Sequence, residues 1–309
     1  MTADAAAVEQ LNYDPPFEPV VGPDGSRTWS GLSFSTGIGY RPVLLDVRVP
    51  PTSTTSTSDT SGTLQAPVAA LVWVHGGAWW AGDRRYLPPT LVPGELADAA
   101  LSRGMAYVAV DYRLALEAPF PAQIHDVKAA IRYVRQFADV FGIDADRLGV
   151  LGESAGGHLV ALLALTAGID GIDGNEGVPD GRSDVAAVVD WYGVHDIRAW
   201  AGEQPTDEPS PISMLLGRAP GGPADAVLAA SASPVTYVSP TAAPMLLIHG
   251  DADATVPFSQ SEELLAAGLA AGMDIELIRV PDADHCFVGY GDVPSLVAQS
   301  VDWLAARLA

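Results

Sequence analysis

The run VAALVWV, ending at Val74, has no polar position, and His75-Gly76-Gly77 follows it directly. A strand with one wet face alternates apolar and polar residues. A strand apolar at every position suits a parallel sheet covered on both sides. Candidate strands, several of them continuously apolar, are Val43–Val49, Ala69–Val74, Ala106–Val110, Leu148–Leu151, Ala187–Trp191, Met245–His249 and Ile275–Val280. Helical patterns lie between them. Ile124, Val127, Ile131 and Val134 step by three and four, Leu264, Leu265 and Leu269 are assigned to a second apolar face, and Pro121 suits a first helical turn. Strand and helix in alternation predict βαβ units, a mostly parallel central sheet with helices on both faces, and the α/β class.

The 309 residues would allow two domains at ~150 each, but α/β folds of this size often run as one. The expectation is a single domain over 1–309, with residues 1–42 as an N-terminal extension. Residues 51–67, rich in Ser and Thr, read as a flexible surface loop. Residues 198–241, rich in Pro, Gly and Asp with a helical piece at Ile212–Leu216, read either as a small cap insertion over a site or as a decorated loop.

Charge excludes some functions. With 16 basic and 38 acidic residues the net charge is −22, which repels phosphate backbones and anionic membrane surfaces, so neither nucleic acid nor a membrane is an expected partner. The single cysteine, Cys286, rules out an intramolecular disulfide and any multi-cysteine metal or redox site. The N-terminal stretch has no basic residue before Arg27 and no signal-like apolar core, and the apolar run Leu159–Leu165 is far short of the ~20 residues that span a bilayer. A cytoplasmic protein is expected. A homo-oligomer is compatible with the sequence.

The chemistry concentrates in three places. Gly152-Glu153-Ser154-Ala155-Gly156 is G-x-S-x-G between an apolar strand and the helix Ala155–Thr166. That context makes Ser154 a nucleophile on a tight strand-to-helix turn; the plain alternative is a serine capping a helix. His75-Gly76-Gly77-Ala78-Trp79-Trp80 follows another strand, and the N–H groups of Gly77, Ala78 and Ala155 would form an oxyanion hole. Trp79 and Trp80 are pocket wall or core, and His75 is expected to hydrogen-bond its own loop. A hydroxyl nucleophile needs a base, and the base an orienting carboxylate. Of the six histidines, His125 and His158 lie within helices, and His195 and His249 precede the region where the acid should lie. The chain order Ser, acid, His selects His285. For the acid, Asp251 and Asp253 compete after Met245–His249; Asp253 is chosen and Asp251 is expected to hold the turn. The alternate acids could suggest a Ca²⁺ or Mg²⁺ site, but no third acid and no fixed glycine spacing follow, so no metal is expected. Glu153, Asp190 and Asp196 read as structural. Cys286 is expected to be inert, its side chain turned from Ser154 because neighbours in an extended loop face opposite sides.

HGGAW, DYRLA (Asp111–Ala115), FPAQIHDVKAAIRYVR, GESAGGHL, DWYGVHDI, SPVTYVSPTAAPMLLIHGDADATVP and DHCF resemble the α/β-hydrolase esterases, nearest the hormone-sensitive-lipase-like and feruloyl-esterase-like (BD-FAE) branch. The resemblance runs from about Val43 to the C-terminus. It implies the α/β-hydrolase fold, and it places the family serine, aspartate and histidine on Ser154, Asp253 and His285. Where the family commonly has a third glycine in the oxyanion loop, or glycine after the histidine, this chain has Ala78 and Cys286. The expected activity is hydrolysis of a small-molecule carboxylic ester through an acyl-enzyme, with no cofactor. An amidase, either an arylformamidase of the kynurenine-formamidase kind or a small-peptide hydrolase, would use the same machinery, since fold and triad do not set the substrate. A non-catalytic binder on this scaffold would be marked by a lost triad member, and none is lost.

Overall fold

Nine strands pair into one sheet in the computed structural model, which describes residues 12–37, 39–51, 66–179, 181–201, 210–217 and 223–309. They are β1 (Val20–Val21), β2 (Arg27–Ser35), β3 (Val43–Val49), β4 (Val68–Val74), β5 (Ala106–Val110), β6 (Ile143–Glu153), β7 (Ala187–Trp191), β8 (Met245–Gly250) and β9 (Ile275–Val280). The helices are α1 (Glu95–Ser102), α2 (Ala122–Gln136), α3 (Ala138–Phe141), α4 (Ala155–Leu165), α5 (Ile197–Ala201), α6 (Pro211–Leu215), α7 (Pro223–Ser231), α8 (Ser259–Ala271) and α9 (Val293–Arg307). The spatial order is β1-β2-β3-β5-β4-β6-β7-β8-β9. β5, β4, β6, β7, β8 and β9 run parallel, and β1, β2 and β3 are antiparallel to their neighbours.

The sheet separates two apolar cores. On one face its side chains pack against α2, α4 and Leu264 of α8; on the other, Leu71, Trp73 and Trp191 pack with α1 and α9. All seven positions of β4 lie within this double cover except the partly exposed Val68. The amphipathic reading of α2 holds for its four apolar positions, all fully buried. The second apolar face does not hold throughout: Leu264 is buried but Leu269 is 58% exposed. Five residues advance a helix by about 500°, so Leu269 falls off the face that Leu264 buries.

Two strands, β1 and β2, were not expected. Part of the segment read as an N-terminal extension forms β2, which pairs with β3 along Arg27–Ser35. Its register shifts between Trp29 and Leu32 and again between Ser33 and Ser35, so its buried residues Trp29, Leu32 and Phe34 do not keep a period of two. Of the loop predicted at 51–67, residues 52–65 lie outside the described residues. Among the described residues no helix is long and apolar enough to cross a membrane.

Strand order reverses around β4. The chain goes from β4 outward to β5, then returns to place β6 on the other side of β4. In open parallel sheets such a reversal leaves a crevice beyond the strand ends.

Candidate active site

Val74 of β4 and Gly152 of β6 are partners in register, so the chains leaving these strands emerge side by side. One carries Gly77 and Ala78, the other Ser154. The turn at Ser154 is tight because its glycines let backbone approach backbone. A Cβ on Gly156 would sit 2.1 Å from the Val74 carbonyl oxygen, and one on Gly152 would sit 2.4 Å from that of Gly156. Ser154 adopts φ 54° and ψ −116°, a strained region for a residue with a side chain. It occupies the position before α4 but makes no capping bond, which removes the plain reading of a helix cap. Its N–H instead donates to the Trp191 carbonyl at the end of β7 (2.8 Å).

The Ser154 Oγ lies 3.0 Å from His285 Nε2, and His285 Nδ1 lies 2.8 Å from Asp253 Oδ2. An ionised carboxylate only accepts, so Nδ1 carries the proton and Nε2 is free to accept from the serine hydroxyl. Asp253 Oδ1 takes the N–H groups of Thr255 and Val256, both at 2.8 Å. Burial would raise the Asp253 carboxyl, but hydrogen bonds from His249 and His285 and the latter's charge outweigh it and hold the group below the usual carboxylate range. Asp251 points elsewhere. It accepts from Asp282 N–H and from Arg279 (both 2.7 Å), tying the loop after β8 to the end of β9.

The loop bearing His285 is not extended as expected. His285–Phe287 is a 3₁₀ turn in which Cys286 has φ 59° and ψ 23°. The left-handed backbone at Cys286 explains why glycine suits the position after the histidine. The Cys286 carbonyl accepts from Thr90 Oγ1 (2.6 Å). Burial, reinforced by the nearby Glu153 carboxyl, pushes the Cys286 thiol up to about 12. The Tyr192 ring packs edge-on against both His285 and Phe287, each at 4.8 Å between centroids, and braces the loop from β7.

Beside Ser154, the backbone is left-handed at Gly77 (φ 97°), Ala78 (φ 53°) and Trp79 (φ 62°). Among the described residues no acceptor engages the N–H groups of Gly77, Ala78 and Ala155. The loop is held from behind. Gly76 N–H donates to Glu153 Oε1 (2.9 Å), and the Tyr112 hydroxyl reaches the carbonyls of His75 and Gly76 (3.0 and 3.1 Å). His75 bonds the Gly76 carbonyl and stacks on Tyr112. Glu153 is thus a structural partner, and burial raises its carboxyl to about 7 against the opposing His285 charge and Gly76 N–H.

A cavity of about 360 Å³ opens on Ser154, Ala78 and Ala155. Trp79, Val194, Trp200, Pro211 and Val256 are among its walls, and none of the lining side chains among the described residues is charged. Trp79 is fully buried, its indole N–H donating to His158 Nδ1 (3.1 Å). Trp80 is 38% exposed and is not among the lining residues, because the turn at Trp79 sends the next side chain outward. Trp200 and Pro211 belong to the segment 198–241, which reaches the site through these two residues; its residues 202–209 and 218–222 lie outside the described residues.

The other histidines have partners of their own. His158 joins Trp79 to the Ala232 carbonyl, His195 lies between Asp190 and the Gln260 carbonyl, and His125 bonds Glu176 and the Gly171 carbonyl. Asp196 accepts the N–H of Arg198 at the start of α5. Among the described residues no cluster of three His, Cys, Asp or Glu could hold a metal ion. Two neighbours of the site escaped the sequence reading. Tyr192 carries no signal beyond its place after a strand, and His249 precedes Asp253 in the chain, outside the order serine, acid, histidine.

A parallel sheet with its order reversed at β4, a strained serine beyond β6 and polar side chains at the ends of β8 and β9 all speak for one architecture. The BD-FAE family model matches residues 60–267, about two thirds of the chain. The chain belongs to the BD-FAE family. Its fold is that of the α/β hydrolases. This BD-FAE chain is 32% identical over 270 residues to Esterase LipQ of Mycobacterium tuberculosis, covering 86% of the chain and 59% of LipQ. It is 32% identical over 231 residues to Esterase LipC of the same organism, covering 72% of the chain and 53% of LipC. It thus spans little more than half the length of these curated relatives. A solved structure described as a truncated form of a carbohydrate esterase from gut microbiota superposes with a TM-score of 0.76 at 28% identity, covering 93% of this chain and 98% of that one.

Proposed function

We propose that this BD-FAE protein hydrolyses carboxylic esters by a Ser154–His285–Asp253 triad and an acyl-enzyme. Ser154 Oγ attacks the ester carbonyl carbon as His285 Nε2 takes its proton. Asp253 keeps the imidazole in the tautomer that can accept and stabilises the imidazolium that forms. The carbonyl electrons move onto oxygen, which the N–H groups of Gly77, Ala78 and Ala155 receive. Collapse expels the alcohol with the proton from His285. Water then loses a proton to His285, attacks the acyl-enzyme and releases the carboxylic acid with Ser154 regenerated.

The observation that carries the reading is the unbroken hydrogen-bond chain from Ser154 Oγ through His285 to Asp253, at 3.0 and 2.8 Å. The free N–H groups beside the serine and the esterase names of the relatives support it. On this reading the chain works as one α/β-hydrolase domain, and the segment 198–241 walls the acyl pocket through Trp200 and Pro211. The uncharged walls that the described residues give the cavity suit a neutral acyl group.

The test is a chain-length series of p-nitrophenyl esters with Ser154→Ala alongside, and N-formylkynurenine as the amide comparator. The esters are expected to turn over, with kcat lowered roughly 10⁴–10⁶-fold in the folded Ser154→Ala protein. A tenth of wild-type turnover surviving in that variant would overturn the assignment. Preferential cleavage of the amide would move the activity to the amidases.

A further inference from the structure

Asp253 has a second imidazole on it. His249, fully buried in β8, places Nε2 3.3 Å from Asp253 Oδ2, the same oxygen that receives His285 Nδ1–H. The ring's proton positions follow from its other partners. Nε2 also lies 3.0 Å from the Val256 carbonyl, which can only accept, so Nε2 carries a hydrogen. Nδ1 lies 2.7 Å from the hydroxyl of Ser261 on α8, which is buried and bonds nothing else through its side chain among the described residues. Ser261 therefore donates to Nδ1 and fixes the tautomer with hydrogen on Nε2. Phe258 packs edge-on against the ring at 5.6 Å and Tyr192 at 6.4 Å, so it cannot swing away.

We propose that His249 is a positioning residue for the hydrolytic site: its Nε2–H, shared between Val256 O and Asp253 Oδ2, pins the carboxylate so that Oδ2 stays aimed at His285. The inference rests on the triad reading above. The two backbone N–H groups hold Oδ1 but leave the carboxylate free to rock about that contact. The fourth donor removes this freedom. The same bond adds to the interactions that favour the ionised form of Asp253. The groups facing this carboxylate are His249 from β8, the Thr255 and Val256 N–H groups of its own loop and His285 from the loop after β9.

The experiment compares His249→Phe, His249→Gln and Ser261→Ala with wild type, on p-nitrophenyl butyrate, with folding checked by thermal melts. His249→Phe keeps a flat ring but removes the donor. It is expected to lower kcat roughly 10–100-fold with KM changed less than about threefold, because a mis-aimed acid acts on the transition state and not on ground-state binding. His249→Gln returns an amide N–H near the Nε2 position and should recover most of that loss. Ser261→Ala, which removes the donor to Nδ1 and loosens the hold on the ring while Val256 O still keeps the hydrogen on Nε2, should cost kcat about 3–10-fold, an expectation scaled from one weakened hydrogen bond. In an Asp253→Asn background, His249→Phe should add less than about threefold, since its target is already lost.

Wild-type kcat in folded His249→Phe, a loss carried by KM, or no recovery in His249→Gln overturns the proposal. So does a full multiplicative effect on top of Asp253→Asn. If His249→Phe fails to fold, an unchanged kcat in Ser261→Ala overturns it, and the expected loss there supports it. Failure of the triad reading itself is distinct, because then Ser154→Ala would remain active.

Discussion

Replacing Asp253 by asparagine tests the site at its most determined point. Four N–H groups face this carboxylate: those of Thr255 and Val256 bond Oδ1, His285 Nδ1–H bonds Oδ2, and His249 Nε2 lies 3.3 Å from Oδ2. An amide has one oxygen, so its NH₂ must face two of the four. With the oxygen kept at the backbone pair, the NH₂ opposes His285 Nδ1. That nitrogen must then give up its hydrogen and accept, which moves the ring proton to Nε2, and an Nε2–H cannot take the proton of Ser154. Turnover should fall by about 10⁴, or about 5 kcal/mol of barrier. Asp251→Asn is the control. Its amide oxygen can still receive Asp282 N–H, and the Arg279 contact it weakens lies outside the triad, so kcat should stay within about threefold. Pre-steady-state release of p-nitrophenol reads the acylation step directly in both variants. If Asp251→Asn is the more damaging, the acid has been placed on the wrong aspartate and the tautomer argument falls.

Two further expectations follow from buried groups near Ser154. With its thiol raised to about 12, Cys286 should be almost wholly protonated at neutral pH, so Cys286→Ser should keep kcat/KM within about tenfold and iodoacetamide should react slowly. A loss beyond about 100-fold would bring the thiol into the chemistry. Glu153 is raised by burial to about 7, so between the ordinary carboxylate range and that value the folded protein holds a proton that the unfolded chain has lost. Its contribution to stability therefore falls as pH rises through this window, by on the order of 3 kcal/mol in full. Glu153→Gln keeps an acceptor for Gly76 N–H but cannot ionise; urea unfolding at pH 5 and 7.5 should show a flatter dependence than wild type, and equal slopes would refute the assignment.

The parts of the fold that were legible in the sequence are those where one local rule acts alone. Val43–Val49, Ala106–Val110, Ala187–Trp191 and Ile275–Val280 form strands with the expected bounds: Ala106–Val110 and Ala187–Trp191 are apolar runs buried almost throughout, and Val43–Val49 alternates buried and partly exposed positions, patterns that need no partner to be recognised. β2 escaped because two register shifts break its alternation, and a bulge is decided by the neighbouring strand. Ser154, Asp253 and His285 were named from motif context and chain order, and the fold brings their side chains together. His249 and Tyr192 were out of reach for a different reason. Their contacts with Asp253 and His285 exist only once β7, β8 and the loop after β9 lie side by side. The pocket shows the same limit. Adjacent tryptophans look alike in sequence, but a left-handed turn buries Trp79 and exposes Trp80.

Seven non-glycine residues among those described have a left-handed φ: Ala78, Trp79, Ser154, Tyr192, Asp282, Cys286 and Phe287. All lie beyond the C-terminal ends of β4, β6, β7 and β9, around the serine. Each such residue costs roughly 1 kcal/mol or more, and a domain's net stability is only about 5–15 kcal/mol. Durability and turnover therefore compete for the same few positions, but not equally. At Ser154 the strain cannot be relieved without deleting the hydroxyl. At Cys286 the polar contact to Thr90 is made by the main-chain oxygen, so glycine there would relax the backbone and leave that contact in place. The conflict between a long-lived protein and a working one is inseparable at one end of the Ser154–His285 hydrogen bond and removable at the residue next to the other.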